Sequence, residues 1–227
     1  MTTDLRYRLF ALLIGLGLAL QAPAAMAASE AQELVDKARL TTEKMFNHPD
    51  TKSLRGWVKK AKGVLIIPSL LKAGFVFGGE GGRGVLLAKD ADGNWSPPAF
   101  YALGSGSIGL QIGFQDSEVV LVIMTDGALE AIISAKIKLG VDVSVAVGPK
   151  GLGVEGATTT NLGADILAYS LTRGAFLGAS FEGSVAVEED ELNTIYYGSG
   201  ATARGIVLQR KFSNSAAAGL IRALKGD

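Results

Sequence analysis

The sequence contains no cysteine and a single histidine, His48. The missing cysteine excludes a disulfide, a thiolate nucleophile, thiolate-ligated zinc and an iron–sulfur cluster. One histidine excludes every site that needs two, the HExxH zinc motif included. Neither sign of charge prevails, with 22 Lys and Arg against 22 Asp and Glu, which argues against a globally basic nucleic-acid binder. The longest apolar run, residues 9–20, is too short to span a hydrocarbon core of about 30 Å. At 48% hydrophobic and 19% charged, the chain is too apolar for intrinsic disorder.

What is present in excess is glycine. Thirty glycines in 227 residues is roughly 13%, against about 7% on average. No collagen-like period accompanies them, so they mark turns, bulges and close backbone approaches. Residues 1–27 have the form of a secretory leader: Arg6 and Arg8 precede the apolar run, Pro23 breaks it, and Ala25-Met26-Ala27 offers a small-x-small cleavage site. Removal of the leader takes two basic residues and one acid, leaving residues 28–227 with 20 basic and 21 acidic side chains. No cysteine follows the cleavage site, which excludes lipid attachment there. The expected organisation is a leader at 1–27 and a single domain at 28–227, periplasmic or otherwise secreted and peripherally associated with a membrane.

Along the remaining chain, residues 29–46 read as a helix, with Glu30 and Glu33 in a first turn that favours acids. A second helix is predicted over 51–61, where Leu54, Trp57, Val58 and Ala61 follow the i, i+3, i+4, i+7 pattern of one face. Strands are then predicted at 64–67, ending at Pro68, and at 75–77, 84–88, 107–115 and 119–124. Residues 119–124 are apolar throughout, so both faces are covered. Thr125 or Asp126 caps a short helix reaching to about 134. Residues 139–147 alternate, placing Val141, Val143, Val145 and Val147 inward. Further strands are expected at 154–160, 166–171 and 176–187, with Arg173-Gly174 as a turn, and terminal helices at 189–197 and 216–224. Strand follows strand through short glycine connections. The fold class is therefore α+β: a curved, mostly antiparallel, barrel-like or sandwich sheet of short glycine-rich strands with helices at both ends.

Signals for catalysis are sparse. No G-x-S-x-G occurs, and a Ser-His dyad would have to use His48, which reads as a surface histidine beside a proline. The acids at 188–191 fit the start of a helix. Asp90, Asp92 and Asn94 begin like an EF-hand loop, but Gly93 falls at the wrong position and Trp95-Ser96-Pro97-Pro98 replaces the rest, so a hairpin turn is expected. Gly78-Gly79-Glu80-Gly81-Gly82-Arg83-Gly84 lacks the Lys-Ser/Thr ending of a phosphate loop and reads as a flexible turn. No metal or other cofactor is implied, and the chain is expected not to be an enzyme. The predicted second helix carries the more distinctive pattern. Lys52, Arg55, Lys59, Lys60 and Lys62 cluster on it, no acid lies between residues 51 and 79, and Trp57 is of a type that favours membrane interfaces. A basic amphipathic helix can lie on an anionic bilayer; an ordinary helix packed on the sheet with solvated lysines has the same spacing. Lys72 lies near enough in sequence to extend the patch.

The chain also resembles the SYLF-domain family. The matching stretches include Lys62-Gly63-Val64-Leu65-Ile66-Ile67-Pro68, Lys72-Ala73-Gly74-Phe75, Gly81-Gly82-Arg83-Gly84-Val85, Gly93-Asn94-Trp95-Ser96-Pro97-Pro98 and Gly104-Ser105-Gly106-Ser107-Ile108-Gly109. They continue through Gly140-Val141-Asp142-Val143, Tyr169-Ser170, Arg173-Gly174-Ala175-Phe176, Gly183-Ser184 and Tyr196-Tyr197-Gly198. The resemblance implies phospholipid binding, phosphoinositides above all, and no catalytic residues. Its eukaryotic members bind actin and carry added modules; with a leader and no such module here, actin is not expected as a partner. The expectation is thus an anionic phospholipid surface, met by Lys52, Arg55, Lys59, Lys60, Lys62 and Lys72 with shallow insertion of Trp57, and with phosphoinositide-type head groups bound in vitro. An envelope scaffold facing a protein partner, or a carrier enclosing a lipid, is the alternative.

Overall fold

The computed structural model describes residues 22–74, 77–108, 113–134, 137–148, 163–173 and 183–226. Eight strands form one sheet in the order β5-β8-β3-β2-β1-β4-β7-β6. They are β1 (Gly63–Gly74), β2 (Phe77–Ala88), β3 (Ala99–Ile108), β4 (Gly113–Ile123), β5 (Ile137–Lys138), β6 (Val145–Val147), β7 (Ile166–Arg173) and β8 (Val185–Glu188). Every pairing is antiparallel except β6 with β7. The helices are α1 (Ala22–Asn47), α2 (Leu54–Lys60), α3 (Asp126–Ser134), α4 (Asp190–Tyr197) and α5 (Ala218–Lys225). The α+β, mostly antiparallel reading holds, with one curled sheet and no second sheet facing it among the described residues. The two edge strands, β5 and β6, are joined by residues 139–144, where Leu139 and Val143 pair as an isolated bridge. The sheet therefore curls until its edges meet at one end, forming a half-barrel.

Both faces of the central strands are covered. The inner face buries Leu65, Leu86, Leu121 and Tyr101 beneath α3, which contributes Leu129 and Ile132, and beneath the segment around Ile206. The outer face buries Val64, Val85, Phe100, Val120 and Leu167 beneath α1, α2 and α5. This explains the unbroken apolar run of 119–123: successive side chains point to opposite faces, and neither face meets water. Helix α1 lays Ala31, Val35, Ala38 and Met45 on the sheet at helical spacing. It starts at Ala22, so Pro23 stands in its first turn, where a missing N–H costs nothing. Residues 1–21 of the expected leader lie outside the described residues, as do the strand expected at 154–160 and the Arg173-Gly174 turn beyond Arg173. Among the described residues no helix is long and apolar enough to cross a membrane.

Three expectations are corrected. Strand β1 does not end at Pro68: the register shifts between Ile67 and Leu70, so proline falls in a bulge where no ladder N–H is required. The glycine-rich stretch 78–84 is not a turn; it lies inside β2, paired with β1 on one side and β3 on the other. Its glycines answer the bulge. A Cβ on Gly84 would stand 2.2 Å from the Ile66 carbonyl oxygen, and one on Gly82 would stand 2.4 Å from that of Ser69. The alternating run 139–147 is not one strand either. Gly140 has φ of 77°, the chain turns there, and of the four valines expected inward only Val143 is buried, Val141 being 69% exposed. Alternation in a turn that joins two sheet edges imitates alternation in a strand.

Asp165 fastens this closure. Its carboxylate accepts from Ser144 N at 3.0 Å, Ser144 Oγ at 2.7 Å and Thr125 Oγ1 at 2.9 Å. The Ser144 hydrogen bonds hold its pKa below the ordinary carboxylate value. A depressed folded-state pKa contributes stability above the unfolded value, lost as pH falls through the folded one. Asp165→Asn is therefore expected to cost about 1–2 kcal/mol near pH 7 in urea denaturation, with the difference from the parent fading below about pH 4. Gly84→Ala is expected to cost about 1–3 kcal/mol or more through overpacking. Gly106→Ala, with open space around the added Cβ, is expected to stay within about 0.5 kcal/mol in the same measurement.

Candidate functional site

The basic residues read from the sequence are brought together around α2, with one exception. A 3-10 turn at Pro49–Thr51 leads into the helix, and His48 Nδ1 accepts from Asp50 N at 3.2 Å. The histidine thus caps a turn. Ser53 follows, its hydroxyl 3.0 Å from the Tyr169 hydroxyl of β7, which pins the start of α2 to the outer face. Lys52, Lys59, Lys60 and Lys62 are exposed and Arg55 is half-buried. Arg55 lies 5.0 Å from the centroid of the Phe46 ring and Lys60 Nζ 5.9 Å from that of Trp57. Lys62 Nζ pairs with Asp126 at 3.0 Å. Among the described residues, Lys52, Lys59 and Lys60 make no ion pair.

Lys72 does not join them. It stands nine residues along β1 from Gly63, roughly 30 Å at strand rise, paired with Glu80 and Gln115 near the other end of the strand. Trp57 is also not where shallow insertion needs it. It is 4% exposed, in the outer-face core with Leu54, Val58 and Ala61. The apolar stripe of α2 is already spent on the sheet. Insertion of Trp57 would require α2 to leave its seat, so the lysines, not the indole, face solvent. The seat has a flaw: the Trp57 indole N–H is buried with no hydrogen-bond partner among the described residues, at a cost of about 1–3 kcal/mol.

Beside the C-terminal end of α2 lies an open cleft of about 430 Å³. Lys60 and Lys62 line it together with Lys89, Asp90 and Asp126. Lys89 is the member that sequence reading missed. It belongs to the β2–β3 turn, which reads only as a hairpin, and nothing in the spacing ties it to α2. Its Nζ donates to the carbonyls of Val58 at 2.7 Å and Lys59 at 2.8 Å, so it caps the helix and complements its negative end. It also lies 4.7 Å from the Trp95 ring centroid, and burial lowers its pKa. Asp90 is held by Asn94 N at 2.8 Å and by Arg210 at 3.3 Å. The hydrogen bond from Asn94 leads the causes that lower its pKa. The turn over 90–94 is therefore as expected, with Gly93 at φ 81°, and the first acid of the EF-hand-like run is engaged by an arginine. Both acids of the cleft are already paired, Asp126 with Lys62 and Asp90 with Arg210, which leaves Lys60 and Lys89 as its cations without an acidic partner among the described residues.

Comparison with known proteins agrees with the resemblance drawn from the motifs. The family described as "Ysc84: Las17-binding protein actin regulator" matches residues 104–226. LAS seventeen-binding protein 3 of Saccharomyces cerevisiae is 38% identical over 156 residues, which cover 67% of this chain and 34% of that protein. Protein YSC84 of the same yeast is 36% identical over 171 residues, 74% of this chain and 36% of the relative. The human SH3 domain-containing YSC84-like protein 1 is 36% identical over 171 residues, 74% of this chain and 50% of the relative. The chain spans between a third and a half of the length of these curated relatives. The family is described by binding and regulation and not by an enzymatic activity. That description names actin, which runs against the expectation that actin is not a partner. A family match over more than half of the chain, beside relatives 36–38% identical over 67–74% of it, shows that the protein belongs to the Ysc84, or SYLF, family.

Proposed function

We propose that this chain is a non-catalytic binding protein that docks on anionic phospholipid surfaces through the cations around α2. The observation that carries the reading is the set of exposed lysines at 52, 59 and 60 without acidic partners among the described residues, continuing into the cleft at Lys62 and Lys89. Each near-surface cation contributes roughly 1 kcal/mol on an anionic membrane, screened within a Debye length. Because the chain carries no net charge, the attraction is local to this face. The cleft accommodates a phosphate-bearing head group, phosphoinositides among them in vitro. Docking leaves α2 seated, with Trp57 inside. We place the protein outside the cytoplasm after removal of residues 1–27, a cut that would take the first six residues of α1 and leave Ala31 onward on the sheet.

A protein partner is the second reading, favoured by the Las17-binding names of the yeast relative and of the family. The two differ in what charge reversal does. With liposomes of phosphatidylcholine containing phosphatidylglycerol, the chain is expected to sediment at low salt and to be released at high salt. Lys59→Glu/Lys60→Glu is expected to weaken binding by about 2 kcal/mol or more, near 30-fold. Sedimentation untouched by that variant would overturn the lysine surface; a parallel F-actin sedimentation then tests the protein reading directly. The seated helix has its own check in urea denaturation. Trp57→Ala is expected to lose about 3–5 kcal/mol of stability. Trp57→Phe, which removes the unpaired N–H along with part of the ring, is expected to lose no more than about 1 kcal/mol.

A further inference from the structure

The inner face of the half-barrel changes character along its strands. Toward α3 it is apolar, up to Leu70 of β1 and Leu103 of β3. One step further, four neighbouring strands turn polar together. Ser105, Glu80, Lys72 and Gln115 stand directly opposite one another in successive pairs across β3, β2, β1 and β4. Opposite residues of antiparallel strands share a face, with Cβ atoms about 4.5–5.5 Å apart. That face is the inner one, because Ser105 follows Leu103 by two residues and Lys72 follows Leu70 by two. Beyond this layer the next paired positions of β1, Gly74 with Gly78 and Gly74 with Gly113, carry no side chains.

The layer is ordered from both flanks. Gln115 Nε2 donates to the Ser117 hydroxyl at 2.7 Å and to the Thr172 hydroxyl at 3.3 Å. Ser184 donates to Glu80 Oε1 at 2.6 Å. Gln115, Ser117 and Ser184 are buried, while Lys72 and Glu80 are half-buried. Lys72 and Glu80 face each other, yet no ion pair within 4.0 Å joins them, and Lys72 has no ion-pair partner among the described residues. Two side chains of opposite charge thus stand side by side in a half-buried polar layer with no ion pair within 4.0 Å between them. Each can gain a charge-assisted hydrogen bond from a ligand group of the opposite sign.

We propose that this layer is a binding site for a zwitterionic phosphate, the chemistry of phosphoethanolamine. Its phosphate meets the Lys72 ammonium, and its ammonium meets the carboxylate oxygen of Glu80 that Ser184 leaves free. A lone anion would meet repulsion from Glu80; a ligand carrying both signs satisfies both residues. Free phosphoethanolamine, a phosphomonoester, and the head group of phosphatidylethanolamine, a phosphodiester, both join a phosphate to a primary ammonium. The site lies at the opposite end of β1 from the α2 lysines and does not rest on the membrane-docking reading.

Isothermal titration of the full chain with phosphoethanolamine, inorganic phosphate and ethanolamine tests it. Phosphoethanolamine is expected to bind at least about tenfold tighter than either fragment, the low end for a charge-assisted hydrogen bond gained. Lys72→Gln and Glu80→Gln are each expected to lose that advantage, and Lys72→Arg to keep it. Short-chain phosphatidylethanolamine, used as monomer, supports a lipid source if it binds more tightly than the free compound and a soluble source if it does not. Phosphate bound by the unaltered chain as tightly as phosphoethanolamine would overturn the zwitterion assignment. If Lys72→Gln does not fold, the unaltered chain still decides: phosphoethanolamine must shift the side-chain amide resonances of Gln115, and their failure to move overturns the site.

Discussion

The constraint on which the structure turns is that β1 and β4, at the centre of the sheet, are apolar on both sides. A sheet of this kind cannot leave one face to water. Helix α3 and the segment around Ile206 take the inner face; α1, α2 and α5 take the outer one. Each helix is therefore committed to the core before any function is asked of it. The bulge at Pro68 and Ser69 follows from the same closeness. β1 presses its backbone onto β2 so tightly that β2 must be glycine at positions 82 and 84. Glycine here permits backbone contact inside a ladder, and flexibility has no part in it.

That commitment settles how α2 meets the outside. A seven-residue helix has too few positions to serve two surfaces. Its apolar face holds the sheet, so its lysines are what remains for a partner, and its end is tied by Lys89 to a turn far along the chain. The cleft belongs to three elements at once: the end of α2, the β2–β3 turn and the start of α3. Arg210 reaches the same turn through the Asn94 carbonyl oxygen at 2.6 Å. It adopts a positive φ of 52°, a conformation an arginine holds only where its surroundings demand it. The walls of the cleft are thus fixed from several directions.

Much of this was legible in the sequence, and the failures have physical causes. The helices at both ends, the doubly buried run 119–123 and the turn at 90–94 follow from periodicity and turn chemistry. The basic cluster around Arg55 and Lys59 followed from spacing. What spacing could not tell was which side of α2 was spoken for, because a stripe that packs on a sheet and one that inserts in a bilayer look the same. Lys72 was misplaced because nearness in sequence was taken for nearness in space, and a strand carries a residue away faster than a helix does. Lys89 was invisible because its role depends on where α2 ends in three dimensions. The glycine run was misread because glycine marks both turns and close approaches, and only the register of β1 on β2 separates them.

The manner in which the sheet ends has a further consequence. Among the described residues its edge strands are two and three residues long, β5 and β6, and residues 139–144 join them, with Leu139 and Val143 forming an isolated bridge inside that link. A sheet recruits foreign strands through its edges, and short edges offer little template. A protein that gathers on a surface raises its own local concentration, which is the condition under which exposed edges zip neighbouring molecules into aggregates. Among the described residues, edges this short leave little for such zipping to start from.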